Sequence, residues 1–246
     1  LTITAQSVTG DGDANAITIT TQTDVQGIYD KVKSFLTQYN SLINEITSLY
    51  NAESSKGYDP LTDDEKDAMS DSEIEKWETK IKDSLLRRDD TLQSVMNSMT
   101  SSMSKGFEIN GKNYYLSTFG IKNLGPLNAP ENQQNAYHID GDEDDASTSG
   151  KDDKLMTAIT SDPDTVITFM QQLADGLYSS LGDKMKSTTM SSVYTVYNDK
   201  EMASEYSDYT DTIKKWEQKL QDQEDAYYKK FSAMETALSK LQSQTS

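Results

Sequence analysis

Cysteine is absent from this chain of 246 residues and histidine occurs once. The first absence excludes disulfides, thiolate metal sites and cysteine nucleophiles; the second excludes any multi-histidine metal centre. Basic residues are few beside acidic ones, 23 Lys and Arg against 41 Asp and Glu, for a net charge of −18. Such a chain is repelled by a phosphate backbone and by an anionic membrane face, so neither nucleic acid nor membrane insertion is expected. No run comes near the roughly 18 apolar residues of a membrane span. The chain also opens without Met and without a signal peptide, on the strand-like alternation Leu1, Ile3, Ala5. It reads as a fragment whose targeting signal lies upstream or whose export route cleaves none.

What is there is enough for a core: 34% of the residues are hydrophobic, which suits one large domain or two smaller ones. After the first alternation, Gly10 to Asp13 form a turn and Ile17 and Ile19 alternate with Thr18 and Thr20. Two strands are expected here. A lone hairpin is marginal in water, so residues 1–23 are assigned to a β domain whose remainder lies upstream.

From Asp24 the period lengthens. Val25, Ile28, Val32, Phe35, Tyr39, Leu42, Ile46 and Leu49 follow at steps of three and four, a heptad seam that predicts a helix over about 24–50, capped by Thr23 or Asp24 and stopped before Asp59-Pro60. Two capping boxes follow, Thr62 with Glu65 and Ser70 with Glu73. The second opens a helix expected over about 72–104, with Ile74, Trp77, Ile81, Leu85, Leu92, Val95, Met99 and Met103 on its apolar face. Gly106 ends it. A β-hairpin insert is placed at about 106–140, turning at Asn110-Gly111, with Tyr137 to Ile139 as a further strand. Lys154 to Thr160 reads as a short helix, and Asp162-Pro163 caps one over about 163–181 through Val166, Met170, Leu173, Leu177 and Leu181.

The last segment carries the strongest period. Tyr206, Ile213, Leu220, Tyr227, Met234 and Leu241 recur every seven residues, and a second row of Met202, Tyr209, Trp216 and Gln223 hands over to Phe231 and Leu238. One helix over about 199–244 is expected, with coiled-coil or bundle packing. The fold class is mainly α with a smaller β part: an elongated antiparallel helical bundle over residues 24–246.

No catalytic constellation emerges, and no catalytic, cofactor or metal residue is assigned. Asp140, Asp142 and Asp144 match the first half of a calcium loop, but Asp145 stands where its glycine belongs and Lys151 where its bidentate Glu belongs. A solvated acidic loop over 140–153 is the expected reading. His138 has no nucleophile motif beside it and is expected on a surface or strand edge. Trp77, Trp216 and the tyrosines at 206, 209, 227 and 228 lie on or beside helical seams and are expected in a core. Charge insertion on such a seam, as in Leu220→Asp, is expected to bury an unpaired carboxylate.

The stretches VQGIYDKVKSFLTQYNSLINEITSLYN at 25–51 and SEIEKWETKIKDSLLRRDDTLQSVMNSM at 72–99, followed by Phe119-Gly120-Ile121, DDKLMTAITSDPDTVITFM at 152–170 and the terminal YYKKFSAMETALSKLQSQTS, resemble in order the C-terminal region of the flagellar filament cap family, also called flagellar hook-associated protein 2. Thr100 departs from the Arg many relatives carry there. The resemblance implies a non-enzymatic, secreted structural subunit at the distal flagellar tip. It implies a homo-oligomeric ring, often of five copies, that contacts flagellin and the filament end, assists flagellin insertion and prevents its loss. It implies export through the flagellar channel, and some relatives are associated with adhesion to mucus. A different filament-associated protein or an adhesin is the alternative.

Overall fold

A computed structural model describes residues 22–245, with side chains to residue 240; the strands expected within residues 1–21 lie outside the described residues. The fold is mainly helical with small antiparallel sheets. Two compact units are present, residues 1–178 and 179–246.

In the first unit, α1 (Val25–Tyr50) starts where the Asp24 carboxylate accepts a hydrogen bond from Gly27 N at 2.9 Å. It buries Tyr29, Val32, Leu36, Tyr39, Ile43 and Ile46. The expected seam is therefore split. Val32, Tyr39 and Ile46 point into the core, whereas Ile28, Phe35 and Leu42 turn to a neighbouring face, Leu42 being 44% exposed. The core side is completed by Leu36 and Ile43, because the elements packed on α1 come from its other flank. Those elements are α4 (Asp90–Met103), through Leu92, Val95, Met99 and Met103, and α5 (Lys154–Ser161), through the fully buried Leu155 and Ile159.

The helix expected over 72–104 is two helices. Thr62 and Ser70 form the two capping boxes as the sequence predicts, opening α2 (Asp63–Asp67) and α3 (Asp71–Ser84). The chain then turns at 85–89, where Arg88 takes φ 59°, and Asp89 caps α4 by accepting from Leu92 N at 2.7 Å. The apolar period runs through the break, but an N-cap carboxylate satisfies amides that a continuous helix would bond to its own carbonyls.

Beyond α4, β1 (Phe107–Ile109) and β2 (Lys112–Tyr114) pair antiparallel with Phe107 opposite Tyr114. Asn110 at φ 53° and Gly111 at φ 76° make the left-handed two-residue turn. A 3₁₀ turn, Leu116–Phe119, leads into β3 (Ile121–Lys122), which pairs antiparallel with β4 (His138–Ile139). Asp162 accepts from Thr165 N at 3.2 Å and opens α6 (Pro163–Lys184). Phe169 of α6 is fully buried, with Phe107 edge-on at 5.6 Å and Phe119 at 5.0 Å.

In the second unit a turn region is drawn together by Thr188 and Ser191, and Asp199 accepts from Ser192 N at 2.7 Å at the start of α7 (Asp199–Thr245). The 47 residues of α7 form one helix. Its heptad residues do not lie in a core within the described chain: Tyr206 is 76% exposed, Trp216 64% and Leu220 61%, and Tyr209, Tyr227, Tyr228 and Phe231 are likewise open. The core reading of the α7 aromatics is thereby corrected within this unit. Leu220→Asp places its carboxylate in solvent, since nothing in the unit packs over it.

Candidate functional site

The densest polar arrangement is a seam along α1 that holds the segment 137–153. Helical spacing of four and seven residues puts Tyr29, Lys33 and Asn40 on one face of α1, toward this segment. Asn40 acts as a piece of strand: its amide nitrogen donates to the Tyr137 carbonyl at 2.7 Å, and its amide oxygen accepts from Tyr137 N at 2.8 Å. Seven residues earlier Lys33 Nζ donates to Asp142 at 2.7 Å and Asp144 at 2.6 Å. These bonds favour the charged ammonium and raise its pKa above the usual lysine value. Burial, with the negative charges of Asp153 and Asp142, also pushes the Tyr29 hydroxyl upward.

The acidic loop is not simply solvated, as its composition suggests. Asp140 is 5% exposed and accepts from Lys151 at 2.9 Å and Lys122 at 3.2 Å. Burial works to raise its pKa, but the bonds to Lys151 and Lys122 outweigh it and the carboxyl titrates below its ordinary range. Gly141 has φ +85°, and a Cβ there would stand 2.6 Å from the Asp153 amide nitrogen, so the tight return of the loop requires glycine. The calcium resemblance thus ends in lysine-bound carboxylates. Among the described residues no group of three or more His, Cys, Asp or Glu is placed to hold a metal.

His138 lies on β4 at the edge of a cleft of about 300 Å³ between α1 and the loop. It is on an edge strand, as one of the two expectations has it, but half-buried there, with Nδ1 2.5 Å from an Asp145 carboxylate oxygen and a buried Nε2 that has no protein partner. Asp145 is lowered in turn: burial opposes its charge, but the contacts with His138 and Ser147 prevail. No Ser, Thr or Lys in this cleft is arranged with His138 as a nucleophile with its base. The arrangement binds one backbone segment to another. Sequence reasoning missed it because Lys33 and Asp142 are 109 residues apart.

Two apolar surfaces accompany it. Ile28, Val32 and Phe35 of α1 face Val166, Ile167 and Met170 of α6 across a groove of about 490 Å³. On α7 the heptad stripe from Met202 to Leu238 is open along its length. Among the described residues no helix is long and apolar enough to cross a membrane.

Long helices with small antiparallel sheets define a mainly helical protein. A family model described as the flagellar hook-associated protein 2 C-terminus matches residues 3–243, and the chain belongs to that family. It is similar to flagellar hook-associated protein 2 of Halalkalibacterium halodurans (strain ATCC BAA-125 / DSM 18197 / FERM 7344 / JCM 9153 / C-125), 26% identical over 164 residues that make up 67% of this chain and 28% of the relative. The match thus spans little more than a quarter of that relative's length. No solved structure matches the chain.

Proposed function

We propose that this chain is the C-terminal part of a flagellar filament cap subunit, a non-enzymatic component at the extracellular tip of the filament. Its copies assemble into a homo-oligomeric ring, in the manner of a pentamer, that contacts flagellin and the distal filament end, helps newly exported flagellin insert and prevents its loss. In this reading residues 24–246 supply the helical leg domain and residues 1–23 complete a β domain of the cap plate. Export proceeds through the flagellar channel.

The observation that carries the reading is the α7 stripe, an apolar row of seven-residue period open to solvent in a member of the hook-associated family. A monomer that leaves Ile213, Trp216, Leu220 and Phe231 in water carries a surface suited to a matching helix, because the heptad period fixes the partner as helical. Family membership supports the flagellum as the place of that assembly.

The test restores the natural termini, measures assembly by light scattering and asks whether the protein rescues filament growth in a strain lacking its cap protein. A discrete ring that rescues growth is expected and fixes the copy number. A stable monomer that never rescues growth overturns the reading in favour of an adhesin or another filament-associated protein.

A further inference from the structure

Between α1 and α4 the chain leaves the core for 37 residues, 52 to 88. Neither α2 nor α3 buries a single residue, and the side-chain ties between residues 53 and 84 join parts of this stretch to one another. Trp77 Nε1 donates to the Asp59 carbonyl at 2.8 Å, and its ring meets Tyr58 at 4.7 Å. Lys66 pairs with Glu78 at 3.0 Å, Lys80 with Glu53, and Ser84 donates to Ser55 at 2.7 Å. A body with internal ties and little buried surface against its neighbour is held mainly at its point of attachment.

That point is one place, because the chain leaves and returns side by side. Arg88 N donates to the Tyr50 carbonyl at 2.9 Å, and the Arg88 guanidinium lies 4.9 Å from the centre of the Tyr50 ring. Arg88 has φ 59°, the left-handed conformation that costs free energy for a residue bearing a Cβ. Beside it Leu85 is 70% exposed.

We propose that residues 52–86 form a rigid arm that pivots on the Tyr50–Arg88 joint, and that the Arg88 guanidinium on the Tyr50 ring is the catch that holds one orientation. Hinges of this kind use a few residues at element ends that absorb the backbone rotation. A single guanidinium on a half-buried aromatic ring is a weak and reversible contact, suited to a catch rather than a weld. The inference does not depend on the cap reading.

Because the chain has no cysteine, Glu75→Cys on the arm and Gln93→Cys on α4 give a unique spin-label pair. Double electron–electron resonance on the full chain is expected to show one dominant distance. Arg88→Gly relieves the left-handed backbone but removes the guanidinium, and is expected to roughly double the width of the distribution. Tyr50→Leu is expected to act alike, and Arg88→Lys to keep the narrow distribution. Trp77 emission, read in a Trp216→Phe background, is expected to stay unchanged in every variant. Equal widths in all variants, or a broad distribution in the parent pair, overturn the catch. A red-shifted Trp77 emission in Arg88→Gly also overturns it, since Arg88 would then hold the arm's fold and not its angle.

Discussion

At the scale of single residues, charged and amide side chains fasten one segment of the chain to another. Asn40 is the clearest case, since one side chain satisfies both backbone groups of Tyr137. Asn40→Ala leaves a half-buried N–H and C=O without partners and is expected to cost about 2 kcal/mol of stability, measured by urea denaturation. Asp140 makes a prediction in pH. Its carboxyl is held below its ordinary value, so the folded state binds fewer protons than the unfolded one. The stabilisation is present above the unfolded pKa and is lost as pH falls through the folded one. Thermal melting of the native protein is therefore expected to fall on acidification below about pH 4. Asp140→Asn is expected to be less stable at neutral pH and to show a shallower acid limb. A mutant with an unchanged acid limb would show that Asp140 does not contribute to it.

At the scale of elements, much was legible before any contact was known. The Thr62 and Ser70 boxes, the Asp162-Pro163 start of α6 and the Asn110-Gly111 turn are local devices: each satisfies amides or dihedrals within a few residues. The break between α3 and α4 was not legible, because Asp89 and Asp90 both read as ordinary helix-surface acids while the apolar period continued across them. Only the turn at 85–89, placed by the Arg88 bond to Tyr50, makes Asp89 a cap. Asp89→Ala is expected to destabilise the chain by about 1 kcal/mol and to speed amide exchange in the first turn of α4, at Thr91 and Leu92. Unchanged exchange there would mean that the helix start is held by packing alone.

At the scale of the whole molecule, the α7 stripe sets the prediction. Leu220 is 61% exposed, so Leu220→Asp is expected to leave helicity and melting of the dilute monomer unchanged and to abolish higher assembly of the chain with its natural termini, read by light scattering. Retained assembly would remove α7 from the interface. The amino-acid sequence by itself determined that the protein is helical, anionic and free of thiol chemistry, where most helices begin, and which family it belongs to. These properties rest on composition, on short-range capping and on the order of motifs. Only the tertiary structure decided which stripe of α1 enters the core, that the acidic loop closes on Lys33, and that α2 and α3 bury no residue. Those outcomes depend on free energy shared between residues as far apart as Lys33 and Asp142. Burial on one face of α1 is set by what α4 and α5 bring to it, and no local pattern records the arrival of a partner from a hundred residues away.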